Sequence, residues 1–237
     1  MFGLVWDGET LWGVNTLGND LVSINTSTGA VTHVGNLTDH ATGSELSTVT
    51  GIAWVPDTEA PHHIDNAPLY GVDSHAEALF VIDRITGEST RRGDFTHPFD
   101  YQVPYDADNE TTNELMSEDK AAGLAWTGTH LYMFGETLRI LFRINALTGR
   151  GTPVNPSAAG EPVIPDITTT SHNPYSMAWD GRQLFMAAGS NPHSGHLAEA
   201  NLYVFNERTG GVTHVDADLD FYGINAEIIN IKRDSVL

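Results

Sequence analysis

Short apolar segments, each followed by polar turn residues, recur at corresponding places along the chain. The first segment of each copy ends in tryptophan, the second begins with leucine and an aromatic residue, and the third ends in Asn or Asp. Such segments are typical of β-strands that pack against neighbouring strands. Four of the five tryptophans occupy the same repeat position, in residues 3–6, 51–54, 123–126 and 176–179.

A turn signal follows the third segment of every copy. The closing Asn or Asp is followed three and four positions later by Thr-Gly. The Asx side chain can cap such a turn while the glycine takes a positive φ, so the pattern predicts a hairpin that leads into a fourth strand. The Asx residues are Asn25, Asp83, Asn145 and Asn206, and the pairs are Thr28-Gly29, Thr86-Gly87, Thr148-Gly149 and Thr209-Gly210.

Four strands joined by hairpins make one blade, and radial repetition of blades buries both faces of each sheet. The sequence therefore predicts an all-β protein, a small β-propeller with four repeats of about four antiparallel strands. We expect one domain over residues 1–237, with repeats at about 1–39, 46–95, 120–158 and 173–222. Because the tryptophans are unevenly spaced, the blades are expected to differ in their loops.

One further strand is predicted after the fourth repeat, at residues 223–231. It could pair with an edge of the first blade and close the ring, or it could begin a fifth blade that another chain completes. We expect closure, because native β proteins protect exposed strand edges. The alternative predicts a homo-oligomer that forms through the C-terminal strand.

The motifs W-D-G, L-Y-G-V-D and I-D/N-x-x-T-G resemble those of quinoprotein-like and NHL- or YVTN-type propeller repeats, over nearly the whole chain. The resemblance implies a fold rather than one activity, since those proteins include cofactor-bearing dehydrogenases, lactonases, lyases and binding modules.

Charge narrows the range of partners. The formal net charge is −20, and Lys120 and Lys232 are the two lysines. Such a surface would repel nucleic acid and anionic membranes, and it suits a protein that works in concentrated salt. The sequence has no cysteine and no apolar run long enough to span a bilayer, and no signal peptide is recognised. We expect a soluble protein, and the sequence does not indicate its compartment.

The largest insertion joins the second and third repeats, from about Asp94 to Lys120, and combines aromatic with acidic side chains. This mixture suits a sugar, a cation or a basic protein surface, although a solvated surface loop has the same composition. The predicted binding residues are Phe99, Tyr101, Tyr105, Asp106 and Asp108.

Oxygen-bearing side chains also mark the ends of second strands. The last positions of the four predicted second strands are Asn15, Asp73, Gly135 and Ala188, and Glu136 directly follows Gly135. The predicted metal ligands are Asn15, Asp73 and Glu136, with calcium as a candidate ion. The competing interpretation is that these residues cap turns. The eleven histidines show no spaced ligand set, and we interpret them as structural.

No nucleophile elbow, phosphate loop or HExxH helix is present in the sequence. We therefore expect a noncatalytic binding module that presents loops to a protein or carbohydrate, and an enzyme is the less favoured interpretation. Two alternatives stay open. One is a metal-dependent, lactonase-like hydrolase with an axial cation, and the other is a structural subunit of a larger assembly.

Overall fold

The computed structural model describes ten stretches of the chain, and seventeen β-strands and no helix lie within them. The strands form four antiparallel sheets, one per repeat, and one sheet has an added parallel strand. The stretches are residues 2–15, 18–46, 48–56, 69–76, 78–94, 121–135, 141–154, 172–190, 200–208 and 211–219.

Each sheet is built from consecutive strands in chain order, so every blade is a meander. Blade 1 contains β1 (Phe2–Trp6), β2 (Leu11–Asn15), β3 (Asp20–Ile24) and β4 (Val31–Asn36). Blade 2 contains β6 (Val49–Trp54), β7 (Leu69–Asp73), β8 (Ala78–Ile82) and β9 (Glu88–Asp94), with β5 (Thr38–Asp39) at its outer edge. Blade 3 contains β10 (Ala121–Trp126), β11 (Leu131–Gly135), β12 (Leu141–Ile144) and β13 (Gly151–Pro153). Blade 4 contains β14 (His172–Trp179), β15 (Leu184–Ser190), β16 (Ala200–Phe205) and β17 (Val212–Leu219).

The hairpin turns follow the predicted mechanism. The Asn25 side-chain oxygen accepts hydrogen bonds from the backbone N–H groups of Ser27 and Thr28, at 2.9 and 3.0 Å. Gly29 has a φ of 72° and donates its N–H to the Asn25 carbonyl. The turns at Asp83 and Asn145 repeat this arrangement. The fourth Thr-Gly pair lies outside the described residues.

The four blades surround one axis as a four-bladed β-propeller, and the predicted fold class is confirmed. The first strands of the blades, β1, β6, β10 and β14, lie innermost, and β1 packs against β6, β6 against β10, and β10 against β14. Each of these strands has a register irregularity where its Gly-x-x-Trp or Ser-x-x-Trp segment begins, at Gly3 in β1 and at the residue before the segment in the other three. The predicted strand at 223–231 lies outside the described residues and stays a prediction.

Hydrophobic cores lie between consecutive blades, because each blade buries side chains on both faces. Blades 1 and 2 share a core that includes Val14 and Leu69. Blades 2 and 3 share one that includes Tyr70 and Leu131, and blades 3 and 4 share a third around Phe134. Among the described residues, no core cluster joins blade 4 to blade 1.

Glycine lets neighbouring inner strands approach closely. A Cβ on Gly51 would lie 2.6 Å from the Leu124 nitrogen, and one on Gly123 would lie 2.8 Å from the Met177 nitrogen. Both contacts are with backbone atoms, so a larger residue would force the blades apart. This packing explains why three of the four first segments begin with glycine.

The repeat tryptophans lie on the innermost strands, as the repeat alignment predicts. Tryptophans at this position are also expected to be buried between blades, and this expectation is wrong for Trp6, which is 43% exposed. Trp54, Trp126 and Trp179 are half-buried and pack on the inter-blade cores. The difference arises because no preceding blade covers Trp6 among the described residues.

Candidate binding face

The second strands end, and the inner strands begin, on the same side of the ring, which we call the upper face. In blade 1, Phe2 on β1 pairs with Val14 on β2, and Asn15 pairs with Asp20 at the start of β3. The other blades repeat this register. Asn15 and Asp73 therefore lie on the upper face of adjacent blades, and Gly135 ends the equivalent strand of blade 3. The strand that contains Ala188 continues to Ser190, so Ala188 is not its last residue.

Asp73 acts as a turn cap. Its side chain is fully buried and accepts hydrogen bonds from the N–H groups of His75 and Ala76, at 2.8 and 2.7 Å, through one oxygen. The other oxygen accepts the Thr48 N–H at 3.1 Å. Both carboxylate oxygens thus accept hydrogen bonds from backbone N–H groups, as expected if this residue caps a turn. Glu136 lies outside the described residues.

Blade 1 has a group of polar side chains on the upper face, which we call the polar cluster: Asn15, Asp20, His33 and Asn36. The Asn15 amide donates to one Asp20 oxygen at 3.3 Å, and His33 Nε2 lies 3.3 Å from the other. The same His33 nitrogen lies 3.3 Å from the Asn36 side-chain oxygen. Asn15, Asp20 and Asn36 are successive cross-strand partners, which brings their side chains to one edge.

The polar cluster combines a carboxylate, two amides and an imidazole, of which His33 and Asn36 are exposed to solvent. These groups can donate and accept hydrogen bonds at the same place, as recognition of hydroxyl groups requires. Sequence reasoning missed the cluster because the histidines were interpreted only as structural. Counting the hairpin register from Asn25 aligns Asp20 with Gly35, and the register irregularity between Leu21 and Val22, which the sequence does not indicate, shifts the partner of Asp20 to Asn36.

The described residues contain no group of three or more His, Asp or Glu side chains arranged to hold a metal ion. The polar cluster offers one carboxylate and one imidazole, which is fewer than such a group requires. The predicted ligand set of Asn15, Asp73 and Glu136 stays untested, because Glu136 lies outside the described residues. Calcium binding therefore stays a prediction.

The predicted binding residues Phe99, Tyr101, Tyr105, Asp106 and Asp108 all lie outside the described residues. The two strands that flank their segment are described. Asp94 pairs with Ala78, and Ala121 pairs with Gly135, so both strands meet the segment at the upper face. Residues 95–120 are thus attached to the same face as the polar cluster.

A second polar group lies at the opposite end of blade 1 and joins it to blade 2. Asp7 Oδ2 accepts hydrogen bonds from the Trp12 indole at 2.8 Å and from Arg84 Nη1 at 2.5 Å. Its Oδ1 accepts the N–H groups of Glu9 and Thr10. Burial raises the pKa of Asp7, but the hydrogen bonds from Thr10, Trp12 and Glu9, with the Arg84 charge, outweigh it and lower the pKa below 3.8.

The Asp7 group is structural rather than a site. The Asp7 side chain is 6% exposed, and the Arg84 guanidinium lies over the Trp12 ring, 5.8 Å from its centroid. Both carboxylate oxygens of Asp7 accept hydrogen bonds from neighbouring residues, so the group connects blade 1 to blade 2.

A scan against protein-family models found no match, and a search of curated proteins found none either. Solved structures that resemble the chain include the extracellular domain of a hybrid two-component system from B. thetaiotaomicron, at 16% identity and a TM-score of 0.43. A nidogen/laminin complex matches at 12% and 0.45, and Kuenenia stuttgartiensis hydrazine synthase at 13% and 0.45. The matches cover 93%, 93% and 90% of this chain, and 22%, 77% and 65% of the respective structures.

The chain thus spans less than a quarter of the first of these proteins. At such identities, the activities of those proteins say nothing about this one. The narrower resemblance to quinoprotein-like, NHL- or YVTN-type repeats stays a prediction. In the described part of the chain, no helix has the length and apolar character needed to cross a bilayer.

Proposed function

We propose that this chain is a noncatalytic binding module that presents the segments of its upper face to a carbohydrate. One observation carries the proposal: four of the five long connecting segments are attached to one face. Five connecting segments outside the described residues are five residues or longer, and four of them follow strands that end on the upper face. They are residues 95–120, 136–140, 155–171 and 191–199; residues 57–68 are attached to the lower face.

Carbohydrate is favoured by the chemistry on that face. The polar cluster pairs hydrogen-bond donors with acceptors, and the segment from 95 to 120 supplies Phe99, Tyr101 and Tyr105. Aromatic rings offer an apolar face to a sugar ring, while Asp106 and Asp108 can accept hydrogen bonds from hydroxyl groups. A rigid β scaffold that holds variable loops is a common arrangement for recognition.

A basic protein surface is the second candidate. The net charge of −20 favours encounter with a positively charged partner and suppresses encounter with acidic ones. This attraction weakens with added salt, whereas sugar binding through stacking and neutral hydrogen bonds is much less affected.

The test compares the wild-type chain with the triple variant F99S/Y101S/Y105S on a glycan array, with immobilised poly-lysine as a basic probe. We expect the wild type to bind a defined set of glycans, and we expect the triple variant to lose that binding with nearly unchanged Tm. The control H62S/H63S, on the segment attached to the lower face, should bind normally. The proposal fails if no glycan binds, or if the triple variant binds as well as the wild type. Salt-sensitive binding to poly-lysine alone would support the second candidate.

The metal-dependent hydrolase makes a different prediction. A specific calcium site that includes Asn15, Asp73 and Glu136 would raise Tm as the calcium concentration exceeds its Kd. Melting curves with calcium and with a chelator measure this directly. An unchanged Tm would contradict the metal site.

A further inference from the structure

Four apolar residues form an exposed row across blade 1, which we call the open row: Trp6, Leu11, Ile24 and Val31. They are successive cross-strand partners from the inner to the outer strand, so their side chains share one face of the sheet. Trp6 is 43% exposed and Val31 is 55% exposed, while Leu11 and Ile24 are half-buried. An apolar row of this kind on a highly charged protein marks a contact surface.

The other blades show what such a row normally contacts. In blade 2 the equivalent residues include Leu69 and Ile82, which are buried against blade 1. In blade 3 they include Leu131 and Ile144, buried against blade 2. The row therefore belongs to the face that receives the preceding blade. Among the described residues, blade 1 alone has no such neighbour packed on this row.

Two positions of blade 4 differ from those through which blades 1 and 2 pack closely on their successors. Gly35 and Gly93 on the outer strands contact the Thr-Gly turn of the next blade, where a Cβ would overlap backbone. The equivalent register position in blade 4 is Asp216. Ser176 likewise replaces the inner-strand glycine that close approach requires.

The Thr-Gly turn of blade 1 also lacks the close contact with a preceding blade that the turns of blades 2 and 3 make. A Cβ on Gly87 would lie 2.8 Å, and one on Gly149 2.5 Å, from backbone of the preceding blade, whereas a Cβ on Gly29 would meet nothing within 4 Å. Within the described ranges, nothing packs on the receiving face of blade 1 from its inner strand to its outer turn. Something other than blade 4 must cover it if its apolar row is to leave water.

Chain order and composition point to one occupant. The outer strands β4, β9 and β13 end on the upper face, and the chain then leads into the inner strand of the next blade, after the short strand β5 in the case of β4. The outer strand β17 also ends there, at Leu219, so the next segment begins beside blade 4. The position that follows blade 4 is the seam beside blade 1, where β14 and β1 contact each other.

Residues 223–231 suit this position. Five of the nine residues are Ile or Ala, and one, Glu227, is charged. Nine extended residues span about 30 Å, which is long enough to cross a blade from its upper to its lower face. A second copy of the chain is a poorer occupant, because two surfaces that each belong to a chain of charge −20 repel each other. A tethered segment also has a high effective concentration.

We propose that residues 223–231 pack against the open row and cover the receiving face of blade 1. The test uses the full chain, which contains no cysteine, so a single introduced thiol reports on one position. In V31C the thiol lies on the open row. In the matched control T32C it lies on the opposite face of the same strand, at a position that is also exposed. The rate of labelling by a maleimide is measured for both.

We expect V31C to react at least about tenfold more slowly than T32C at every protein concentration. Adding I224S/I228S/I229S/I231S to V31C should restore the rate of T32C while the far-UV CD spectrum persists. If that variant loses its β-sheet spectrum, the pairs I224S/I228S and I229S/I231S are tested separately, and each should raise the rate.

Three results would overturn the proposal. Equal rates for V31C and T32C would mean that the row is open to solvent. Protection that increases with protein concentration would assign the row to a second copy. Protection that is unchanged by the serine substitutions would mean that another part of the chain covers it.

Discussion

The face that receives the preceding blade has different surroundings in blade 1 and in blade 3. Leu131 in blade 3 is 1% exposed and packs in the core shared with blade 2, whereas its equivalent Leu11 in blade 1 is only half-buried. The residues are identical and occupy the same cross-strand register. The repeat sequence therefore determines the strands and register within a blade, while the burial of a side chain depends on which neighbouring blade packs against it.

The largest expected effect of this difference is on core truncation. Leu131→Ala should lower the free energy of unfolding by about 2–5 kcal/mol, because it leaves a cavity between two blades. Leu11→Ala should cost roughly 1 kcal/mol, since less apolar surface is withdrawn from water there. Urea unfolding followed by CD measures both. Equal losses would mean that blade 1 is as fully packed as blade 3.

The contact between blades 1 and 2 gives the next effect. Asp7→Ala should cost about 3 kcal/mol, because it leaves the partly buried Arg84 guanidinium without its partner. Asp180 is the matched control, since it occupies the equivalent turn of blade 4 and accepts hydrogen bonds from the N–H groups of Arg182 and Gln183. Asp180→Ala should cost about 1 kcal/mol for the lost hydrogen bonds. A similar loss for both variants would show that Arg84 does not strengthen this contact.

The same contact predicts a pH dependence. Because the folded pKa of Asp7 is lowered, its contribution to stability is fully present above the ordinary value of 3.8 and is lost as pH falls through the lower folded value. Wild type and Asp7→Asn should therefore differ most at neutral pH and converge in strong acid. A difference that stays constant down to the lowest pH would contradict the assignment.

A smaller effect concerns close approach of the inner strands. Gly123→Ala should destabilise the chain by about 1–3 kcal/mol, because the added methyl group meets the backbone of β14. Ser176→Ala, at the equivalent position of blade 4, should change stability by less than about 0.5 kcal/mol. Thermal unfolding of the two variants tests this, and a neutral Gly123→Ala would show that blades 3 and 4 are not packed as closely as described.

The smallest effect is at the edge of blade 2, where β5 pairs with β9. His40 Nδ1 lies 2.6 Å from Glu88 Oε1, and this hydrogen bond and the Glu88 charge raise the pKa of His40 above 6.5. Glu88→Gln should return that pKa toward 6.5 in an NMR titration. The stabilisation is present below pH 6.5 and is lost as pH rises through the folded pKa. An unchanged His40 pKa would contradict the contact.

Sequence predicted the repeated parts of this molecule well and the departures from the repeat poorly. The Asx-x-x-Thr-Gly turns and the four inner strands follow from local chemistry, since Asn25 caps its own hairpin. Exposure of Trp6 did not follow, because it depends on which sheet lies against blade 1. The polar cluster was missed since Asp20 and His33 meet across two strands, and the Asp7–Arg84 contact was missed since it joins different blades.

The central claim is that three interfaces between blades are packed directly and that the described residues of blades 4 and 1 do not pack in the same way. A pair of double-mutant cycles tests it most directly. The first pairs Tyr70→Ala with Leu131→Ala, in the core of blades 2 and 3. The second pairs Phe185→Ala with Leu11→Ala, the equivalent positions of blades 4 and 1. We predict a coupling energy of about 0.5–3 kcal/mol for the first pair and additivity within about 0.5 kcal/mol for the second. Equal coupling in both cycles would contradict the account.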